Sequence, residues 1–270
     1  MGKSMGDSKK FSLIVSYFLS DEEKHGVDIN LCRVKNANIL AQTLFEQDFD
    51  RSSYEFILVA DEPCADTNLH DFADKIIHMP HQRLFNKSWF FNTAARVAES
   101  EWFFFLDLDV KMPPRYLELI AGTATNPRKV YSGLTHFKRE CKPGVWDNGL
   151  YVNCATLGYS SIIHNELYWA KGGMCENFRG YGGEDGEMYV KHKPYVEYIP
   201  GTIEHSYHSD SHVDWDAYKY NVHLCQVVRE HLKPYLARIV PESKNYGNID
   251  KQHWIDFDDL LKETVNPHKR

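Results

Sequence analysis

An α/β fold with a parallel sheet is what this sequence predicts, and two observations carry it. Residues 11–18 and 54–60 are short, apolar, β-rich runs, and between them Leu31, Val34, Ala37, Ala41, Leu44 and Phe45 recur at helical spacing. Strand, helix, strand at this separation is a βαβ unit, whose strands run parallel. The second observation is Trp102-Phe-Phe-Phe-Leu106, an unbroken apolar run that suits only a sheet covered on both faces.

The elements follow in order. Residues 11–18 lead into Ser20-Asp-Glu-Glu23, a buried strand feeding a polar loop. Residues 54–60 stop at Asp61-Glu62-Pro63, and residues 75–79 form a short third strand. A helix runs from Asn86 to about Val97 with Trp89, Phe90, Ala94 and Val97 on its packing faces. The strand at 102–106 ends in Asp107-Leu108-Asp109. After Pro113-Pro114 the pattern gives a helix over 115–121, a strand over 129–134 and an irregular stretch through Asn148. A Gly-rich segment, 179–185, opens a helix over 186–193, and a His-rich polar loop, 204–212, follows residues 195–200. Tyr218, Val222, Cys225, Val228 and Leu232 then recur at helical spacing. Without a repeat or low-complexity linker, the chain divides into one continuous domain, 1–213, and a C-terminal helical extension, 214–270, packed on it.

Composition excludes several classes. With 270 residues and 43% hydrophobic content the chain can build a substantial core. A formal charge of -7, and no basic tract beyond pairs such as Lys9-Lys10, excludes a nucleic-acid partner. Cys32, Cys64, Cys141, Cys154, Cys175 and Cys225 form no C-x-x-C pair, which fits reduced thiols and a cytoplasmic location. The polar first ten residues carry no signal-peptide or anchor pattern, and no apolar stretch reaches membrane-spanning length. The sequon at Asn86-Lys87-Ser88 opens a helix read as buried and carries no weight.

Three constellations carry chemistry. Open α/β sheets bind ligands beyond the carboxyl ends of their strands, where Asp107 and Asp109 stand. At i and i+2 on a strand they share one side and can reach a common cation, or a cation and the ribose of its nucleotide. A bare D-x-D is usually a solvated turn, but two carboxylates partly buried after WFFFL need a counter-charge. The second is Gly180-Tyr-Gly-Gly-Glu184-Asp185. Its glycines permit positive φ or close approach of a ligand, and its acids sit at the positive end of a helix, where a carboxylate can serve as a general base. An acid-decorated helix start is the blander reading. The third is His205, His208 and His212. An imidazole added to carboxylate and phosphate oxygens suits Mn²⁺ better than Ca²⁺, although a surface histidine is usually only that.

Taken together these residues resemble the GT-A glycosyltransferases, in particular inverting enzymes similar to the β-1,4-galactosyltransferases, the polypeptide GalNAc-transferase catalytic domain and bacterial chondroitin-type polymerases. The segment Phe85-Asn-Lys-Ser-Trp-Phe-Phe-Asn-Thr-Ala-Ala95 resembles the helix preceding D-x-D in that group. Phe104-Phe-Leu-Asp-Leu-Asp109 resembles its metal motif, and Lys171 to Asp185 its "GGFDE…GWGGED" segment. The motifs keep the family's order over about residues 11–208.

The resemblance implies a GT-A fold, with a mixed, mostly parallel central sheet flanked by helices, in which 1–213 is catalytic. It implies Mn²⁺, with Mg²⁺ as a substitute, bound by Asp109 and a histidine. Ile203-Glu-His205-Ser resembles the galactosyltransferase version and Tyr207-His208 the polymerase version, with His205 favoured. Asp107 would contact the donor ribose or a metal-bound water, Asp61 would lie near the uridine, and Ser16 and Asn92 would also bind donor. Asp185 would be the catalytic base, Glu184 would hold acceptor hydroxyls, and Tyr181 would stack on the acceptor sugar beside Gly183. Tyr181 stands where relatives often have Trp, and Gly186 where some have a further Asp, so acceptor identity is left open.

The function expected is therefore inverting, Mn²⁺-dependent transfer of a sugar, Gal or GalNAc preferred, from a UDP-sugar to a hydroxyl of a glycan or glycolipid acceptor. Surface-polysaccharide biosynthesis is the expected setting, in the cytoplasm with room for peripheral membrane association. Two rivals stand beside it. A sugar nucleotidyltransferase normally has a Gly-rich, basic phosphate loop after its first strand, whereas Ser20-Asp-Glu-Glu-Lys24 is mostly acidic. A catalytically silent carbohydrate-binding relative would need neither nucleotide nor metal, yet the metal acid and the base are both kept.

Overall fold

All seven residues of β1 (Phe11–Tyr17) are buried, as a strand covered on both faces requires. The computed structural model describes residues 9–19, 27–61, 67–80, 84–137, 151–153, 157, 160–206 and 214–230. After β1 come α1 (Val27–Phe45), β2 (Tyr54–Asp61), α2 (Asn68–Phe72), β3 (Lys75–Met79), α3 (Lys87–Val97), β4 (Trp102–Leu106) and β5 (Val110–Lys111). The second half holds α4 (Tyr116–Thr123), β6 (Val130–Phe137), β7 (Tyr151–Asn153), β8 (Ser160–His164), α5 (Asn165–Ala170), α6 (Glu184–His192), β9 (Val196–His205) and α7 (Trp215–Glu230).

One nine-stranded sheet joins the strands in the order β3-β2-β1-β4-β8-β6-β9-β5, with β7 on β6. β3, β2, β1 and β4 are mutually parallel, and β6 pairs parallel with β9. β8 runs antiparallel to β4 and β6, and β5 antiparallel to β9. The sheet is thus mixed and mostly parallel, with helices on both faces.

Strand alternation splits the core in two. Leu13, Val15, Phe104 and Leu106 pack with Ala37, Leu40, Ala41 and Leu44 of α1 and with Tyr116, Leu117 and Ile120 of α4. Ile14, Phe103 and Phe105 point the other way, against Trp89, Phe90, Phe91 and Ala94 of α3 and Tyr168 and Met188. The helical spacing of α1 is as expected, but Leu31 is 61% exposed and Phe45 73%, so the buried stripe is narrower than the apolar pattern.

Two boundaries differ from expectation. The helix after the glycines begins at Glu184 rather than 186. The polar segment expected to be loop from residue 204 is strand as far as His205, because β5 and β6 pair with the second half of β9. β5, β7, β8, α2 and α5 are too short or too irregular in pattern to be legible. Among the described residues Cys32, Cys175 and Cys225 form no disulfide, whereas Cys64, Cys141 and Cys154 lie outside the described residues. No helix among the described residues is long and apolar enough to cross a membrane.

Candidate active site

The site lies at the carboxyl edge of the parallel strands. Asp61 ends β2, fully buried, and its Oδ1 accepts the Leu19 amide at 3.0 Å, fixing the chain as it leaves β1. Arg33 of α1 donates to the Phe18 carbonyl at 2.8 Å and lies over the Phe18 ring. Burial pulls its pKa down to about 10, opposed by the charges of Asp61 and Asp109. A guanidinium is therefore held at the strand ends, among the acids.

Asp107 and Asp109 stand here as expected, but not as a pair on one extended strand. β4 stops at Leu106, Leu108 and Asp109 form a turn, and the chain re-enters the sheet as β5. The two carboxylates consequently take different partners. Val110 is the register partner of His205, and the Ser206 amide donates to the Asp109 carbonyl at 2.7 Å. That pairing brings His205 Nε2 to 3.2 Å from Asp109 Oδ2, with His205 buried. A hard carboxylate beside a borderline imidazole fits a first-row divalent cation such as Mn²⁺. Among the described residues no group of three or more His, Cys, Asp and Glu converges on one point. Among the described residues, Asp109 and His205 could thus hold such an ion together with further oxygens from a ligand. His208 and His212 lie outside the described residues.

Asp107 turns instead to Lys87, which the sequence reading did not single out. Lys87 Nζ is 2.7 Å from Asp107 Oδ1 and 3.2 Å from Asp185 Oδ1. Burial alone would push this lysine toward neutrality, but the charges of Asp107, Asp185 and Glu184 outweigh it and hold the pKa well above the ordinary lysine value. Two carboxylates contact the one ammonium and a third, Glu184, lies within reach of its charge. Burial, then the nearby Asp185, raises Glu184 to about 8 against the pull of Lys87. Burial also raises Asp107 to about 7, with Lys87 opposing and Asp185 adding.

Glu184 and Asp185 open α6 after a glycine turn. Gly180, Gly182 and Gly183 all have positive φ, which only glycine adopts without strain. At Gly183 a Cβ would also lie 2.7 Å from the Phe178 ring and 2.9 Å from the Asn221 carbonyl. Asn221 of α7 ties this turn down, donating to the Arg179 and Tyr181 carbonyls and accepting the Arg179 amide. Glu184 is buried, and its Oε2 has no hydrogen-bond partner among the described residues. Tyr181 is 42% exposed and stacks on Tyr218 at 6.1 Å between ring centres, with Trp215 edge-on to Tyr218. The turn, the two acids and an aromatic shelf from α7 thus adjoin one another.

Two further donor contacts are expected, Asn92 and Ser16. Asn92 is fully buried, and its amide is taken up by protein: Oδ1 accepts from Tyr168 Oη and the Met174 amide, and Nδ2 donates to the Met174 carbonyl and Glu176 Oε1. It is a strut between α3 and the 172–176 segment, since an amide on the packing face of a helix must find partners inside. Ser16 is buried within β1, opposite Val59. Asn86 is also buried, capping α3 by accepting the Trp89 amide, as expected of a helix start rather than a surface sequon.

The glycosyl transferase family 2 model matches residues 37–183, more than half of the chain. No curated protein matches it. Among solved structures, residues 1–349 of S. aureus TarS in complex with UDP-GlcNAc superpose with a TM-score of 0.56 at 14% identity, covering 85% of this chain and 70% of that one. GalNAc-T7 with UDP, GalNAc and Mn²⁺ gives 0.57 at 14% identity, covering 96% of this chain and 57% of that one. Against a longer S. aureus TarS structure the TM-score is 0.53 at 15% identity, and the match covers 85% of this chain but only 42% of TarS. At such identities the likeness shows the fold, which is GT-A.

Proposed function

The chain belongs to glycosyl transferase family 2, and from that premise we propose that it is an inverting, divalent-metal-dependent enzyme that moves a sugar from a UDP-sugar to a glycan or glycolipid hydroxyl. The observation that carries this reading is the convergence of Asp109–His205, Lys87 with Asp107, and the Glu184–Asp185 helix start at one edge of the sheet. The nucleotide complexes of TarS and GalNAc-T7, the latter with Mn²⁺, support donor class and metal. Gal or GalNAc is the donor sugar we favour, Mn²⁺ the ion with Mg²⁺ able to replace it, and residues 1–213 the catalytic unit with 214–270 its helical extension.

Each residue then has a task. Asp109 and His205 hold the cation, which when bound would stabilise negative charge on the departing diphosphate. Asp61 lies toward the uridine, Ser16 toward the donor, and Asp107 toward the ribose or a metal-bound water. The Asp185 carboxylate takes the acceptor hydroxyl proton as that oxygen attacks the anomeric carbon opposite the diphosphate, and the C–O bond to the leaving group breaks. Lys87 Nζ, 3.2 Å from Asp185 Oδ1, holds that carboxylate in position. Glu184, raised to about 8, keeps its proton at neutral pH and can donate it as a hydrogen bond to an acceptor oxygen. Tyr181 offers its exposed ring to the acceptor sugar, held in place by Gly183 and Asn221.

Calorimetric titration with a panel of UDP-sugars, in Mn²⁺ and in EDTA, with UDP release followed in parallel, tests this reading. Metal-dependent binding of one UDP-sugar, with its slow hydrolysis, is the expected result. Absence of nucleotide binding under every metal condition would remove the transferase reading.

A further inference from the structure

We propose that Lys87 is the resident counter-cation of the cleft, which holds Asp107 away from the metal so that a divalent ion binds tightly only together with a nucleoside diphosphate. The inference rests on the transferase reading and adds an order of binding to it.

Lys87 occupies an unfavourable place. It is the first residue of α3, where the helix dipole disfavours a cation, and it is buried. A charge so placed persists only with strong partners, and it has them in Asp107 at 2.7 Å and Asp185 at 3.2 Å. Its ammonium thus lies where a metal shared by both aspartates of the D-x-D would otherwise draw on Asp107.

Among the described residues the remaining ligands are too few. The turn at Leu108 sends Asp109 to His205 and leaves Asp107 with Lys87. An ion such as Mn²⁺ seeks about six donors. Two side chains leave most of those positions to water, whereas a diphosphate can fill several at once and brings negative charge that balances both the ion and Lys87. Without the diphosphate, an ion beside Asp109 still feels the repulsion of the ammonium, and Asp107, which could offset it, is already engaged by Lys87.

The test is Mn²⁺ binding to the full chain, read by electron paramagnetic resonance of the free ion and by calorimetry, without any sugar transfer. Wild-type protein should bind Mn²⁺ alone weakly and bind it much more tightly once UDP is added. Lys87→Met should bind Mn²⁺ alone about ten-fold or more tightly than wild type, because it frees Asp107 and removes a nearby positive charge. Lys87→Arg should stay at the wild-type value, and Asp107→Asn placed in Lys87→Met should erase the gain. Circular dichroism checks folding. If Lys87→Met does not fold, Lys87→Gln, which removes the charge but keeps a hydrogen bond to Asp107, should bind Mn²⁺ alone more tightly than wild type by a smaller factor. Tight binding of Mn²⁺ to wild type without nucleotide overturns the proposal, as does a neutral variant that binds Mn²⁺ no better than wild type. Failure of UDP to bind at all overturns the transferase reading and the nucleotide half of this one, while the wild-type and Lys87→Met affinities for Mn²⁺ alone still decide the role of the ammonium.

Discussion

Asp109 and His205 come to 3.2 Å of one another because the two-residue strand β5 places Val110 opposite His205 in the last ladder of the sheet. The ladder, not a flexible loop, sets their spacing. Asp109→Ala and His205→Ala should therefore each weaken Mn²⁺-supported UDP binding by more than the roughly 10- to 100-fold that loss of an outer-shell partner costs a metal site. Calorimetry with and without EDTA reads this directly, and residual binding in EDTA should be the same in both variants and wild type.

Asp185→Asn keeps the shape of the side chain and its reach to Lys87 but cannot accept a proton. Turnover should fall by on the order of 10²–10⁴ while the donor dissociation constant stays within about two-fold. Equal losses in donor affinity and turnover would assign Asp185 to donor binding instead of base catalysis.

How far these residues were legible differs for physical reasons. The sheet could be read because burial on both faces forces continuous apolar runs at 11–17 and 102–106, and the βαβ unit fixes their direction. The positions of Asp107, Asp109, Glu184 and Asp185 could be read because motifs at strand ends and helix starts are local. That Asp107 and Asp109 diverge could not, since nothing in D-L-D announces a turn at Leu108. His205 was read into a loop because Glu204-His205-Ser206 is polar, and only pairing with β5 and β6 makes it strand. Lys87 was invisible because its partners lie 20 and 98 residues away in the chain. Asn92 did leave a signal: a polar amide among Trp89, Phe90, Phe91 and Ala94 on a packing helix needs internal partners before it can serve a ligand.

Glu184 gives the fold a pH dependence whose sign is fixed. Its pKa rises from 4.5 to about 8 on folding, so between those values the folded chain keeps a proton that the unfolded chain releases. Its contribution to stability is fully present below pH 4.5 and is lost as pH rises through about 8. Asp107, raised from 3.8 to about 7, acts in the same direction. Melting temperature should thus decline as pH rises from about 5 to about 8.5, and Glu184→Gln should make the decline shallower without abolishing it. A profile that rises over this range in wild type would contradict the burial of Glu184 beside Asp185.

Gly183→Ala tests the turn that delivers the two acids. With φ at 95° the new side chain is strained wherever it points, and its Cβ meets the Phe178 ring at 2.7 Å. Backbone strain alone costs about 1–3 kcal/mol. Turnover should suffer more than nucleotide affinity, because the displaced groups are Glu184 and Asp185 rather than Asp109 and His205. Thermal unfolding and separate measurement of kcat and donor binding distinguish the two effects.

Asn92→Ala decides between strut and ligand. The substitution strands Tyr168 Oη and both Met174 backbone groups inside the protein and removes a hydrogen bond from half-buried Glu176, since all of these bonds go to the one amide. Each buried polar group left unmet costs about 1–3 kcal/mol, so even with partial rearrangement the variant should lose roughly 3–5 kcal/mol of stability. Asn92→Asp should be nearly as damaging, because a carboxylate cannot donate to the Met174 carbonyl and would face Glu176 as a like charge. If Asn92 is a strut, the folded fraction of either variant, assayed well below its melting point, should bind UDP in Mn²⁺ with wild-type affinity. A variant of wild-type stability that has lost nucleotide binding would instead return Asn92 to the donor.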